Sequence, residues 1–250
     1  MANSRSGDSM TERLVRVLET FTPIRTAQTV SEIGRRASLP VSTAHRIVGD
    51  LVDAGLLERD ADNRIHVGLR LWELATRSSS TLMLRQAALP YMERVQLRLK
   101  EHTQLAVLEE DEALCIERLS APDSGENITR IAGRLPLHAS SSGLVLLAFG
   151  GQELESRVLA KPLKRLSPET ITDPDELSEK LAEIRRRGYV VAPGYLSRVS
   201  TGVAVPVRDQ AGAAVAALSV VLPRSANPEP AVLELQSAAR GIARAVAQAG

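Results

Sequence analysis

Residues 29–68 constrain this chain more than any other stretch. Thr29 and Glu32 have the spacing of a capping box, in which a hydroxyl and a carboxylate each satisfy an orphan backbone donor at a helix start. Leu39-Pro40 interrupts that helix, because proline lacks the N–H and disfavours helical backbone at the residue before it. Pro40 is well placed at the start of the next helix, and Gly55 where that helix needs a left-handed residue to end. Two short runs follow, Leu56-Leu57-Glu58-Arg59 and Arg64-Ile65-His66-Val67, joined by the polar link Asp60-Ala61-Asp62-Asn63. Helix, tight turn, helix and hairpin in that order are the layout of a winged helix-turn-helix.

The second of these helices has two faces. Ala44, Ile47, Val48 and Leu51 recur at helical spacing and form a core stripe. Ser42, His45, Arg46 and Gly49 fall opposite, with Thr43 beside them and Val41 opening the helix. The N-terminal half of a recognition helix is the part that reaches base edges in the major groove. Arginine reads guanine there, and serine and threonine bind bases or phosphates. Arg35 and Arg36 add local positive charge, and Arg59 and Arg64 flank the wing turn, where a cation meets backbone phosphate. The plain alternatives are a solvated face of a small helical domain and ordinary surface arginines.

Overall charge does not argue for nucleic acid. The chain has 31 basic and 30 acidic residues, a net charge of +1. Residues 1–80 hold 11 Lys/Arg and 10 Asp/Glu. Non-specific DNA affinity should therefore be modest, with binding carried by the few residues on the Ser42–Arg46 face. Aromatic residues are 2% and hydrophobic residues 44%, so the core must be aliphatic. Cys115 is the only cysteine; no intramolecular disulfide can form, which fits a reducing cytoplasm. Its mid-strand position reads as a small core residue, with a redox sensor as the alternative. No apolar run approaches the ~18 residues that span a membrane, and Met1 to Ser9 lacks a signal-peptide core.

Periodicity organises the rest. Thr11 to Phe21 reads as a first helix with Thr11 as its cap. Leu69 to Ala75 looks helical, Thr76 to Thr81 is a change of composition, and a long helix follows from Leu82 to about Glu101, with Pro90 kinking it or opening its second half. Beyond His102 the pattern is α+β. Strands are expected at Gln104–Leu108, Ala113–Leu119 and Asn127–Ile131, and an apolar helix runs to Phe149. Asp173-Pro174-Asp175-Glu176 opens a helix that ends on Arg185-Arg186-Arg187 and Gly188; those cations suit a helix C-terminus. Val203–Val207 and Ala214–Val221 form a hairpin in which Pro206 marks an edge or a bulge, and Asn227-Pro228 caps a terminal helix. The predicted organisation is a disordered tail over 1–10, a winged helix-turn-helix over 11–70, a linker helix over 71–85 and a second domain over 86–250.

Several local motifs occur in the order found in one family. They are Leu39-Pro40-Val41-Ser42-Thr43 with Arg46, then Leu89-Pro90, then Leu135-Pro136-Leu137-His138-Ala139-Ser140 with Gly143. Thr170-Ile171-Thr172 leads through Leu181 to Arg187-Gly188-Tyr189, and Val203-Ala204-Val205-Pro206-Val207 comes last. Together they make the chain resemble the IclR family of bacterial transcription regulators, from about Thr11 to the C-terminus. The resemblance implies a winged helix-turn-helix, a linker helix and a profilin- or GAF-like α+β effector-binding domain. It also implies homodimers, often paired into tetramers, on palindromic operator DNA. Carried over position by position, the effector pocket would involve Asn127, Leu135, Ser141, Ser142, Ala192, Gly202, Ser219 and Val221.

Chemistry agrees in part with that pocket. Ser140 to Ser142 stand at a helix N-terminus, whose free backbone donors and dipole attract a carboxylate, so a small organic acid is the expected effector. Many family members have an acidic residue and a cysteine where this chain has Ala192 and Gly202, and a lysine where it has Leu144. The expectation is a roomier, less polar pocket for an aromatic or aliphatic acid. No metal site or cofactor is expected: His45, His66, His102 and His138 are scattered, and His138 reads as a hydrogen-bonded core residue. Ser140-Ser141-Ser142-Gly143 lacks a hydrolase elbow, and no Walker or Rossmann fingerprint appears. The reading is a ligand-responsive regulator, a repressor of a catabolic operon. Its rivals are an activator, an enzyme domain acting on a bound small molecule, and a winged helix that binds protein.

Overall fold

Side-chain caps decide where the first helices begin. The structure, a computed structural model, describes residues 8–22, 24–77, 80–121 and 129–249. In α1 (Met10–Glu19) the Ser9 hydroxyl accepts from the Glu12 N–H and the Glu12 carboxylate accepts from the Ser9 N–H. This box starts the helix ahead of Thr11, the predicted cap, and places Met10, expected in the tail, inside it. In α2 (Val30–Arg36) Thr29 and Glu32 form the expected reciprocal box. α3 (Val41–Asp53) follows, with Pro40 just outside as its N-cap. Gly55 then takes φ +72°, the left-handed conformation that glycine adopts without penalty.

The hairpin is β1 (Leu57–Arg59) paired antiparallel with β2 (Ile65–Val67), Arg59 opposite Ile65. Ile33, Ala44, Ile47, Val48, Leu51, Leu57 and Ile65 form the core beneath, all at most 3% exposed. Gln28 ties wing to helices. Its backbone exchanges hydrogen bonds with Ile65, and its buried amide donates to Thr20 and accepts from Arg36. α4 (Leu69–Thr76) ends this unit and contributes no buried residue.

The chain divides into two compact units, Met1–Ser79 and Ser80–Gly250; the break lies inside the span expected as linker. The second unit opens with α5 (Ser80–Leu99), which runs through Pro90 as one helix. Its sheet comprises β3 (His102–Glu109), β4 (Glu112–Leu119), β5 (Arg134–Pro136), β6 (Val190–Pro193), β7 (Ser200–Arg208) and β8 (Ala214–Pro223). The order is β5-β4-β3-β8-β7-β6, antiparallel throughout. On one face α5 and α9 (Glu229–Ala249) pack on Leu105, Val203, Val205, Leu218 and Val220. On the other lie α6 (Ser141–Phe149), α7 (Gln152–Leu159) and α8 (Pro174–Arg187). That face is paved with Ala106, Ala113, Ala192, Ala204 and Ala217. The small side chains let α6 approach the sheet closely.

One expectation needs correction. The third strand is Arg134–Pro136; of the predicted Asn127–Ile131, residues 129–131 belong to no strand and 127–128 lie outside the described residues. Gly133 and Ala132 instead bond to the backbone of Cys115 and lead the chain into β5. Helix α7 has no counterpart in the sequence reading. Pro206, in β7 opposite Ala217, meets the edge-or-bulge expectation, since it lies beyond the reach of β6 and next to a bulge at Val207/Arg208. It is tolerated because β6 stops at Val190 opposite Ala204, so no neighbour on that side needs its missing N–H. The caps of α8 and α9 are as expected: Asp173 accepts from Asp175 and Glu176, Gly188 takes φ +72°, and Asn227 accepts from Glu229.

Candidate functional site

Two sites emerge, one in each unit. In the first, α3 exposes Val41, Ser42, His45 and Arg46, with Thr43 half-buried beside them. The stripe Ala44, Ile47, Val48 and Leu51 is buried, so packing fixes which face α3 turns outward. Arg46 is loosely held, 3.7 Å from Asp50 and 3.9 Å from the Met10 sulfur, and both contacts are weak enough to exchange for a base edge. Arg35 is exposed at the end of α2. Arg36 differs, since its guanidinium is engaged by buried Gln28 and lies near Glu32, which makes it a brace within the unit.

The wing turn is organised by one carboxylate. Asp60 accepts from the Asp62 and Arg64 N–H groups and pairs with His66 at 2.7 Å. The His66 bond and these backbone donors hold the Asp60 carboxyl below its ordinary pKa. Arg59 and Arg64 are exposed at either side of this turn. Helix face and wing together form a surface that can meet a groove and its phosphates.

In the second unit a cleft opens at the N-terminus of α6. Ser140 caps that helix, accepting from the Gly143 N–H while donating to the Pro136 carbonyl. Leu135, Ala139, Ser140, Ser141 and Ser142 line one wall. Gln104 and Val221 on the sheet line the floor, with Ala192 and Gly202 beside them. Thr129 closes one side, and Leu196, Ser197 and Ser200 the other. Thr129 is held from behind by Arg118, which donates to its carbonyl. Arg118 itself follows buried Glu117, whose carboxylate pairs with Arg85 of α5 at 2.6 Å.

The cleft brings together Leu135, Ser141, Ser142, Ala192, Gly202 and Val221 of the predicted pocket. Ser219 lies behind it, 1% exposed, accepting a hydrogen bond from the Ser142 hydroxyl at 2.9 Å. Asn127 lies outside the described residues. Ser140 was read as part of the helix N-terminus, while Gln104, Thr129, Ala139, Leu196, Ser197 and Ser200 were missed. The signal available for Gln104 was a lone amide at the start of the apolar run Leu105–Leu108.

At Gly202 the cleft is tight. A Cβ on Gly202 would lie 2.6 Å from Ser141 Oγ and 2.9 Å from Ser141 Cβ. Ser141 occupies the room that glycine leaves, and the lining mixes hydroxyls and the Gln104 amide with Leu135, Ala192, Leu196 and Val221. No charged side chain is among the described lining residues.

Two buried groups stand apart from both sites. His138 bonds through Nε2 to the Lys164 carbonyl at 2.9 Å, a core role as expected. Cys115 is 1% exposed, and burial pushes its thiol up to about 11. Among the described residues no helix is long and apolar enough to cross a membrane.

Comparisons with known proteins match both units. The IclR helix-turn-helix domain matches residues 11–61, and the bacterial transcriptional regulator IclR C-terminal domain matches residues 76–248. An IclR homolog from Microbacterium hydrocarbonoxydans, crystallised with 4-hydroxybenzoate, is 56% identical. That likeness covers 96% of this chain and 100% of the homolog, with a TM-score of 0.92. The Thermotoga maritima IclR structure is 25% identical over 94% of this chain and 98% of its own, with a TM-score of 0.75. The repressor AllR of Escherichia coli K12 is 27% identical over 98% of this chain and 92% of its own length. With both halves matched in order and nearly the whole chain covered, this protein belongs to the IclR family of DNA-binding bacterial transcription regulators.

Proposed function

We propose that the protein is a repressor of a catabolic operon that binds a palindromic operator as a homodimer and is released by a small aromatic acid. One observation carries the effector half of this reading: the cleft at the N-terminus of α6. The first-turn N–H groups of Ser141 and Ser142 stand at its wall, and a helix N-terminus is a ready anion site. The 56% identity to a homolog crystallised with 4-hydroxybenzoate supports an aromatic acid. Repression is supported by the likeness to AllR.

The DNA half rests on Ser42, Thr43, His45 and Arg46 as base-reading residues, with Arg35, Val41, Arg59 and Arg64 beside them. One short recognition helix reads few base pairs, so two half-sites are needed for useful specificity. α4 supplies a surface for that pairing, since Leu69 and Trp72 stand one turn apart and are each 64% exposed. The effector acts by binding the operator-bound and free states with unequal affinity.

The test is a footprint on the DNA upstream of the protein's own gene, repeated with monocarboxylates including 4-hydroxybenzoate. Symmetric protection that one acid abolishes is expected. Protection that no acid of the panel alters, with calorimetry showing no binding, would remove the effector reading. Loss of expression in a deletion strain would make the protein an activator.

A further inference from the structure

We propose that Gln104 is a specificity-determining residue of the cleft, its side-chain amide donating a hydrogen bond to the carboxylate of a singly charged organic acid. This rests on the reading of the cleft as the effector site. Gln104 lies on β3, the strand between β4 and β8, and is 3% exposed. Its Nε2 has no hydrogen-bond partner among the described residues, yet the residue lines the cleft. A buried amide left in this state has lost its bonds to water with nothing in exchange. Native proteins seldom leave such donors open, and a ligand is one thing that closes them.

Register places that donor. Gln104 stands opposite Ser219 across β3 and β8, and the face it shares with Ala106 is the one α6 covers. Two neighbouring hydroxyls are already committed. Ser142 donates to Ser219, and Ser140 is occupied by Gly143 and Pro136. The Gln104 amide stands with the Ser141 hydroxyl and the first N–H groups of α6 as donors at this end of the cleft. All are neutral, and no lysine, arginine or histidine is among the described lining residues. Neutral donors balance one negative charge far better than two in a water-poor cleft, so the site selects monocarboxylates over dicarboxylates.

The test is calorimetry on the full chain with benzoate, 4-hydroxybenzoate and terephthalate, comparing wild type with Gln104→Leu and Gln104→Glu. Wild type should bind both monoacids and bind terephthalate more weakly. Gln104→Leu should weaken both monoacids roughly 10- to 100-fold, and Gln104→Glu should weaken them further by setting two carboxylates together. Thermal unfolding separates this from a structural role. Without ligand, Gln104→Leu should be at least as stable as wild type, because it removes an unsatisfied donor from the interior. A variant less stable than wild type would make Gln104 a structural residue and overturn the proposal. Wild-type affinity for both acids in Gln104→Leu would also overturn it while leaving the effector reading intact. Weakened binding of 4-hydroxybenzoate alone would assign the amide to the ring hydroxyl and overturn the carboxylate assignment. No binding of any monoacid to wild type would defeat the effector reading and this inference with it.

Discussion

Arg36 and Gln28 are locked together: Nη1 of the guanidinium donates to the amide Oε1 at 2.6 Å, and Gln28 is 1% exposed. The same amide donates to Thr20, and the Gln28 backbone bridges to Ile65 of the wing. Arg36 thus closes a network that holds α1, α2 and the hairpin in register. Arg36→Ala leaves a buried acceptor unpaired and should lower the stability of the first unit by about 1–3 kcal/mol. Arg35→Ala, which breaks no such bond, should leave stability unchanged and weaken DNA binding alone. Urea denaturation of the two variants checks this, and equal midpoints would return Arg36 to the DNA-contact set.

The Gln28 network also shows where sequence reading stops. Capping is local: Thr29 with Glu32, Asp173 with Glu176, and Gly188 at the end of α8 are visible because each acts within a few residues. The core stripe of α3 is visible for the same reason, since a 3.6-residue period is written in order. Partners brought together by tertiary packing are not. Nothing local tells that the Arg36 guanidinium reaches back to buried Gln28, or that Ser141 fills the space above Gly202. Family resemblance located the α6 cleft, but Gln104 entered it only through strand register. Asn127–Ile131 alternates like a strand, yet its described residues 129–131 stay outside the sheet and pairing with β4 falls to Arg134–Pro136.

Arg46 and Arg64 should fail differently. Arg46 projects from the outer face of α3, where a bidentate contact to guanine discriminates by ~1–3 kcal/mol. Arg46→Ala should abolish the preference for operator over random DNA. Arg64, at the wing turn, is suited to phosphate, and its removal should weaken binding to all sequences alike and reduce the salt slope by about 1. Anisotropy titrations across salt concentrations, on operator and scrambled duplexes, distinguish the two. An Arg46→Ala variant that still prefers operator would remove Arg46 from base reading.

Gly202 should tolerate little. Any side chain there meets Ser141 within 2.9 Å, at the end of α6 that faces the cleft. Gly202→Val should displace that end, costing about 1–3 kcal/mol of stability by overpacking and at least about tenfold in acid affinity. Operator binding without ligand should survive. Unchanged affinity for 4-hydroxybenzoate in this variant would show that the acid does not sit against Ser141.

Cys115 should be silent as a thiol. Burial raises its pKa to about 11, so at pH 8 roughly one molecule in a thousand carries the reactive thiolate. Because burial disfavours the charged form, reactivity should rise only as pH climbs toward that value. Iodoacetamide at pH 8 should label the unfolded protein promptly and the folded protein hardly at all. Fast labelling of the folded state would revive the redox-sensor alternative.

Trp72 should report assembly directly. It is the only tryptophan in the chain, it lies on a helix with no buried residue, and it shares a face with Leu69 one turn away. Water-exposed indole is an expensive surface to leave open, and large aromatic anchors dominate many interfaces. If the homodimer forms through α4, dilution should shift tryptophan emission to the red as the dimer separates, with a midpoint equal to the dissociation constant from sedimentation. Trp72→Glu should then run as a monomer and lose cooperative binding to a two-half-site operator, while each recognition helix keeps its weak affinity for a half-site. Emission that stays constant through the dissociation range would place the dimer contact elsewhere on the chain.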